Sequence, residues 1–394
     1  MEDSAYLQST QYRHFTFTPA VLSQIRSSTN TVATQRLHDS IQSAVQAGDL
    51  TPPSDGSSSA TSNTSSTAAL TAREELKLVS YYLTTCVQLC DHFRTGSAVK
   101  ATCVAYLQRI YLRISPLQIH PKTLLLPILF LAYKAEQGIQ STSWFIRTAE
   151  AVGLSITKEE LLQPEIDIAM NLRWSFQVLH PFRSVEGLKA ELLSIASGLY
   201  RSPAATGGPE GPPLQKSFEK IGGTRERSER ACARARSLLT GTALLTDVYF
   251  LYPPPQIALA AVWAHDAELV EFFLRVKFGS DAVRPKLLKV IRECAECHLM
   301  ATKDSPATYP GLLLRLPQNG VPLSPAEISP DLKKETIGID KKLFLLKKPL
   351  NAAKGKHAAT RDAADEERRA KKQKTQQEIR DRDDVFGGAK IKRK

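Results

Sequence analysis

Leu129-Phe130-Leu131-Ala132-Tyr133-Lys134-Ala135-Glu136 closes an apolar run that begins at Leu124 and stops abruptly at a lysine. A run of that length is too short to cross a membrane. It is apolar on every side, so as a helix it has to be surrounded by other helices. The lysine then emerges at the surface beside a short polar turn. The fold therefore turns on a central helix, buried all round, that ends in Lys-x-acid.

Composition agrees with a helical chain. The 394 residues are enough for two ordinary domains with tails. Apolar residues make up 42%, rich in Leu and Ala, and aromatics only 7%, which favours helix over sheet. The first residues carry Glu2 and Asp3 with no apolar block behind them, so no secretory signal is expected. The other long apolar stretch, Leu244 to Ala264, is interrupted by Asp247 and by Pro253, Pro254 and Pro255. A soluble intracellular protein is expected. Six cysteines, Cys86, Cys90, Cys103, Cys232, Cys294 and Cys297, are scattered and read as reduced core thiols. Cys294-Ala295-Glu296-Cys297-His298 is half of a zinc pattern without its second half. No metal is expected.

Helical periodicity runs through most of the chain. Thr18 can cap a helix that starts at Pro19, with Val21, Leu22 and Ile25 on one face. A second amphipathic piece near Leu37, Ile41 and Val45 ends at Gly48. In 51–71, 12 of 21 residues are Ser or Thr, too polar to offset the entropy of ordering. Helices are expected over 73–93, 99–113 and 121–136, the last mildly kinked at Pro127. Shorter helical runs are expected near 144–149 and after the capping-box pattern Thr157-Lys158-Glu159-Glu160, broken by or starting after Pro164. Further helices are expected over 181–199, 226–250, 255–265 and 283–299, with a Gly- and Pro-rich loop across 202–223.

The two halves echo each other. Leu107 to Glu136 and Leu244 to Glu268 both run from an aromatic helix end through a proline turn to an apolar helix and an acid. A repeat of about 100 residues exceeds solenoid periods and points to a duplicated helical domain. No stretch alternates like a strand, so the fold is expected to be all-α. The segments are 1–50 (arm and helices), 51–72 (Ser/Thr-rich insertion), 73–180 and 181–300 (the repeats, the second with a flexible insertion at about 202–223), 301–350 (Pro-rich, then a helix) and 351–394 (a basic tail).

The net charge of +12 is concentrated at one end. From Lys341 to Lys394 there are 18 Lys and Arg against 8 Asp and Glu, which accounts for ten of those twelve charges. The near-neutral body is no nucleic-acid surface. Arg368, Arg369, Lys371, Lys372 and Lys374, with Lys390, Lys392, Arg393 and Lys394, read as a nuclear-localisation signal or weak phosphate contact. The competing reading is a solvated tail. No catalytic constellation is present: the histidines stand near no Ser or Cys in a known pattern, and Gly207-Gly208-Pro209-Glu210-Gly211 lacks the Lys-Ser/Thr of a phosphate loop. The chain is expected to be no enzyme and to hold no cofactor.

Several motifs carry a family resemblance across most of 11–300. They are Tyr12-Arg13-His14-Phe15-Thr16-Phe17, His120-Pro121-Lys122 with Phe130 to Glu136, and His180-Pro181-Phe182-Arg183-Ser184-Val185-Glu186-Gly187. The sharpest is Leu245-Thr246-Asp247-Val248-Tyr249-Phe250-Leu251-Tyr252 with Pro255-Gln256-Ile257-Ala258-Leu259. The chain resembles the cyclins, and among them the H-type regulatory subunits of the CDK-activating kinase. The resemblance implies two tandem five-helix cyclin boxes with flanking N- and C-terminal helices. It implies binding and activation of a cyclin-dependent kinase that phosphorylates other such kinases and the RNA polymerase II tail within TFIIH. A RING-finger assembly factor and the TFIIH core are implied partners, and a nuclear location follows.

Cyclins grip their kinase through a lysine on the third helix and a glutamate on the fifth, which here match Lys134 and Glu165 in Gln163-Pro164-Glu165-Ile166-Asp167. The plainer reading of that pair is an interhelical ion pair. Tyr12, Phe15 and Phe17 are candidate kinase contacts of the N-terminal arm. Gln137, where an acid is common, and Pro164 depart from the family pattern. The other readings are a transcriptional cyclin of the C, K, L or T type and a TFIIB-like DNA-bound adaptor. The first is disfavoured by the Tyr12–Phe17 arm. The second is disfavoured by the absence of cysteine before Cys86 and by the neutral body.

Overall fold

The computed structural model describes residues 3–48, 69–138, 140–201, 210–278, 283–296, 312–313, 327–328 and 332–351. Three helices open the chain: α1 Asp3–Gln8, α2 Thr10–Phe15 and α3 Pro19–Gln46. The first repeat follows with α4 Ala72–His92, α5 Ser97–Ile110, α6 Pro121–Ala135, α7 Thr142–Ala151, α8 Lys158–Leu162 and α9 Glu165–Asn171. The second holds α10 Phe182–Ala196, α11 Gly211–Lys220, α12 Arg225–Thr240, a 3-10 turn Thr242–Leu245, α13 Val248–Leu251, α14 Pro254–Trp263, α15 Ala267–Phe278 and α16 Val283–Cys294. A last helix, α17, covers 332–351. The strands β1 Leu312–Leu313 and β2 Glu327–Ile328 pair antiparallel, a two-residue exception to an otherwise helical chain.

Two compact units divide the chain, one of Met1–Thr34 with Leu70–Asp340 and one of Gln35–Ala69 with Lys341–Lys394. Both repeats lie in the first. Within the second, Leu37 and Leu343 are buried.

The central helix is as its composition requires. Leu124, Leu125, Leu126, Ile128, Leu129, Phe130, Leu131, Ala132 and Tyr133 of α6 are all buried. Each large side chain contributes about 1.5–3 kcal/mol of transfer free energy. The helix runs unbroken past Pro127, which removes one donor from the ladder. In the second repeat α14 plays the same part, with Ile257 to Val262 buried without interruption. Each central helix packs on the helix two places before or directly before it, α6 on α5 and α14 on α12, so the echo in the sequence is an echo in space.

Local chemistry sets the helix ends. Thr71 and Thr157 each close a capping box, with Glu74 and Glu160. Thr18 accepts from the Val21 amide at 3.4 Å ahead of Pro19. The fifth helix of the first repeat is broken at Pro164 into α8 and α9.

Four expectations change. The loop across 202–223 contains α11, whose Leu214 and Phe218 are buried, Phe218 against Phe272 at 5.1 Å. The helix expected over 226–250 stops at Thr240 and is replaced by a 3-10 turn and α13. Gly241 ends it with a backbone bent out of the helical region. The pieces at 19–25 and 37–45 are one continuous helix. Ala267–Phe278 is a full helix where none was expected. The insertion over 51–68 and the tail clusters at 368–374 and 390–394 lie outside the described residues.

Polar bonds join the repeats and the arm. The Gln108 amide donates to Leu244 O and Thr246 O, both at 3.1 Å. Arg26 on α3 forms two 2.8 Å bonds to Asp247, whose side chain is 1% exposed. Thr102 donates to Glu136 at 2.6 Å. Its only proton is then used, so His180 Nε2 donates to Thr102 Oγ1 at 2.9 Å, and Tyr249 OH stands 3.4 Å from His180 Nδ1. That chain runs from α5 and α6 into the second repeat.

Candidate functional site

Lys134 sits in the last turn of α6 and Glu165 is the first residue of α9. The lysine Nζ lies 2.7 Å from each Glu165 carboxylate oxygen. Both side chains remain open to solvent, 41% and 37% exposed. The Phe130 ring lies 4.7 Å beneath the ammonium and supports it from the core side. An exposed pair of this kind contributes about 0–1 kcal/mol to folding. Little stability is lost if either group turns to bond a partner.

The neighbouring surface is unusually apolar. Ile166, Met170 and Trp174 are 65%, 51% and 63% exposed. Ile166 and Met170 stand four residues apart, the spacing of one helix face, and Trp174 follows beyond the end of α9. At the end of α9, Arg173 and Trp174 both adopt left-handed backbone, φ 54° and 56°, which costs L residues about 1–2 kcal/mol each. The turn throws the indole outward, with an edge contact to Phe176 at 6.1 Å. Strain and exposed apolar surface coincide at the far end of α9 from the ion pair, as they do at binding sites.

The three candidates of the N-terminal arm part company. Tyr12 is exposed. Phe15 is 2% exposed and packs with Leu22, Leu112 and Phe250, and the Arg109 guanidinium lies 4.5 Å from its ring centroid. Phe17 is half-buried, with its amide bonded to Phe250 O at 2.8 Å and its ring on Phe250. The arm is therefore a brace between the repeats, with Phe15 buried in it. Two aromatic residues near a chain start carry no sign of which way they face; an apolar socket at Phe250 decides it. Arg109 is itself buried and donates to Ser175 O at 3.2 Å, and burial pushes its pKa down to about 10.

The family resemblance brought Lys134 and Glu165 forward but not Ile166, Met170 and Trp174. Periodicity assigns apolar residues to the core by default. The available signal was the shortness of α9, only seven residues after Pro164, which cannot bury Ile166 and Met170 on one face while it buries Ile168 and Ala169 on another.

Two tandem helical repeats, each wrapped round a buried central helix, define the class. The cyclin C-terminal domain family matches residues 180–298, and the chain is similar to cyclins across both repeats. Among them, the chain is similar to the H-type cyclins. Cyclin CCL1 of Saccharomyces cerevisiae is 26% identical over 279 residues, 71% of this chain and 62% of that protein. Cyclin-H1-1 of Arabidopsis thaliana is 27% identical over 259 residues, 64% of this chain and 68% of its own. Among solved structures, a chain of the CAK complex from Chaetomium thermophilum bound to ATP-gamma-S aligns with a TM-score of 0.62 at 28% identity, covering 87% of this chain and 88% of that one. A chain of the yeast TFIIK (Kin28/Ccl1/Tfb3) complex aligns with a TM-score of 0.50 at 26% identity, covering 74% and 98%.

Proposed function

We propose that this chain binds a cyclin-dependent kinase through the surface of Lys134, Glu165, Ile166, Met170 and Trp174, and activates it. The ammonium and carboxylate would bond carbonyls and amides of the kinase backbone beside its αC helix, while the apolar residues pack on that helix. Fixing αC lets its glutamate pair with the ATP-site lysine. The cyclin supplies no catalytic residue and no ATP ligand; it is a regulatory subunit.

The observation that carries this reading is the open Lys134–Glu165 pair with its apolar margin, in a chain whose relatives are H-type cyclins. The same kinship supports the finer reading. The kinase is the CDK-activating kinase, which phosphorylates other cyclin-dependent kinases and the RNA polymerase II tail within TFIIH. A RING-finger subunit assembles the complex, and the yeast TFIIK relative, which contains Kin28, Ccl1 and Tfb3, supports a ternary assembly. The basic clusters at Arg368–Lys374 and Lys390–Lys394 direct it to the nucleus, with no membrane association and at most weak contact of the tail with nucleic acid.

Co-purification with candidate kinases followed by kinase assay tests this. Wild type should bind and activate, and a folded Lys134→Ala/Glu165→Ala variant should lose on the order of thirtyfold or more in Kd. Binding that ignores the double substitution would move the interface elsewhere. No kinase partner at all would remove the reading.

A further inference from the structure

Cys86 and Cys90 lie one turn apart on α4, and Cys103 faces them from α5. All three are fully buried free thiols. Their sulfur atoms lie within 4.8 Å of one another, and Cys86 Sγ and Cys103 Sγ are 3.3 Å apart. Thiols that serve only as small core hydrophobes pack against carbon; these three converge on a common point. A metal–thiolate bond is about 2.3 Å, so two sulfurs on one ion stand at most about 4.6 Å apart. The cluster meets that condition with shifts of a few tenths of an ångström. The Thr95 hydroxyl oxygen, in the turn between α4 and α5, is buried without an oxygen or nitrogen partner among the described residues and lies against Cys90.

We propose that Cys86, Cys90 and Cys103 form a three-thiolate site for a soft d10 metal ion of the zinc and copper class, with the Thr95 hydroxyl beside it. Thiolate sulfur selects such ions over calcium or magnesium. Binding of a divalent ion replaces three S–H bonds by three metal–sulfur bonds and releases three protons to solvent. One negative charge is left in the site, near the Lys100 ammonium, which also pairs with Asp91. The ion would tie α4 to α5, the pair on which the central helix α6 rests. Spacing alone pointed to core thiols because only two of the three lie on one helix; the third arrives through the α4–α5 packing.

The test is titration of the reduced, metal-stripped full chain with cadmium(II) and zinc(II) under anaerobic conditions. The readouts are the thiolate-to-metal charge-transfer absorption of cadmium and the melting temperature. One ion per chain is expected, with a rise in melting temperature. The absorption should drop in Cys103→Ser and in Cys90→Ala, whose folding is checked by circular dichroism, and should stay intact in Cys294→Ser and Cys232→Ser. Two substitutions on different helices guard against one that fails to fold. Full absorption retained in Cys103→Ser overturns the proposal. So does loss in Cys294→Ser alone, which would place the ion on Cys294 with Cys297 or His298. Absence of the band while all six thiols titrate as reduced overturns it as well, as does a Cys86–Cys103 disulfide that persists under reduction.

Discussion

Two ion pairs of this chain have the same chemistry and opposite uses. Arg26 and Asp247 meet through two 2.8 Å bonds with the carboxylate 1% exposed. Lys134 and Glu165 meet at 2.7 Å with both side chains more than a third exposed. The first is a guanidinium fork clamped on a desolvated acid, so its removal leaves a buried charge. The second is a point charge on a flexible stem in water, which can exchange one acceptor for another at little cost. Burial decides which pair holds the fold and which is available to a partner.

The sharpest way to break that contrast is to cut each pair. Arg26→Ala should destabilise the chain by about 3–5 kcal/mol, since Asp247 stays buried without its guanidinium; urea unfolding measures it. Lys134→Ala/Glu165→Ala should change stability by no more than about 1 kcal/mol while weakening kinase binding by about 2 kcal/mol or more. Equal stability losses in the two experiments would erase the distinction.

Much of this was legible in the chain before its structure. The run ending at Lys134 pointed to a central helix because its ten consecutive positions, Leu124 to Tyr133, leave no polar face for solvent. Thr157 and Glu160 announced the cap that forms. Lys134 and Glu165 do come together, 31 positions apart. What was not legible depended on packing between distant segments. Phe218 makes a helix of a Gly/Pro-rich stretch because Phe272 offers it a socket. Phe15 turns inward because Arg109 and Phe250 wait for it. Ala267–Phe278 did carry a signal, since Glu268, Glu271 and Arg275 make a polar stripe at helical spacing beside the buried Leu269, Val270, Phe272, Phe273, Leu274 and Val276.

A smaller effect separates the apolar margin from the charges. Trp174→Ala should weaken kinase binding by about 1–2 kcal/mol, because an exposed indole beside the contact is the kind of anchor that buries on association. Its effect on folding should stay within about 0.5 kcal/mol, as for other surface positions. Isothermal titration with a candidate kinase, set beside urea curves of the free chain, gives both numbers. A large loss of stability would mean that the indole packs on its own chain and that the margin of the site ends at Met170.

The weakest effect is a pH dependence in the polar chain between the repeats. Glu136 is partly buried, and the nearby His180 ring and then the bond from Thr102 hold its pKa below the usual carboxylate value of 4.5. A depressed carboxyl favours the folded state wherever the unfolded chain would bind a proton and the folded one would not. Its contribution is therefore complete above the unfolded value and disappears as pH falls through the folded one. Glu136→Gln should reduce stability at neutral pH, and the gap to wild type should close once the pH drops below the ordinary carboxylate range. Lys134 is two residues away and exposed, so kinase binding at neutral pH should respond far less to this substitution than to the loss of Lys134. If the gap stayed constant across that range, Glu136 would act through its shape and its bond to Thr102 alone, and the charge on this inner acid would count for as little in folding as the charge on Glu165.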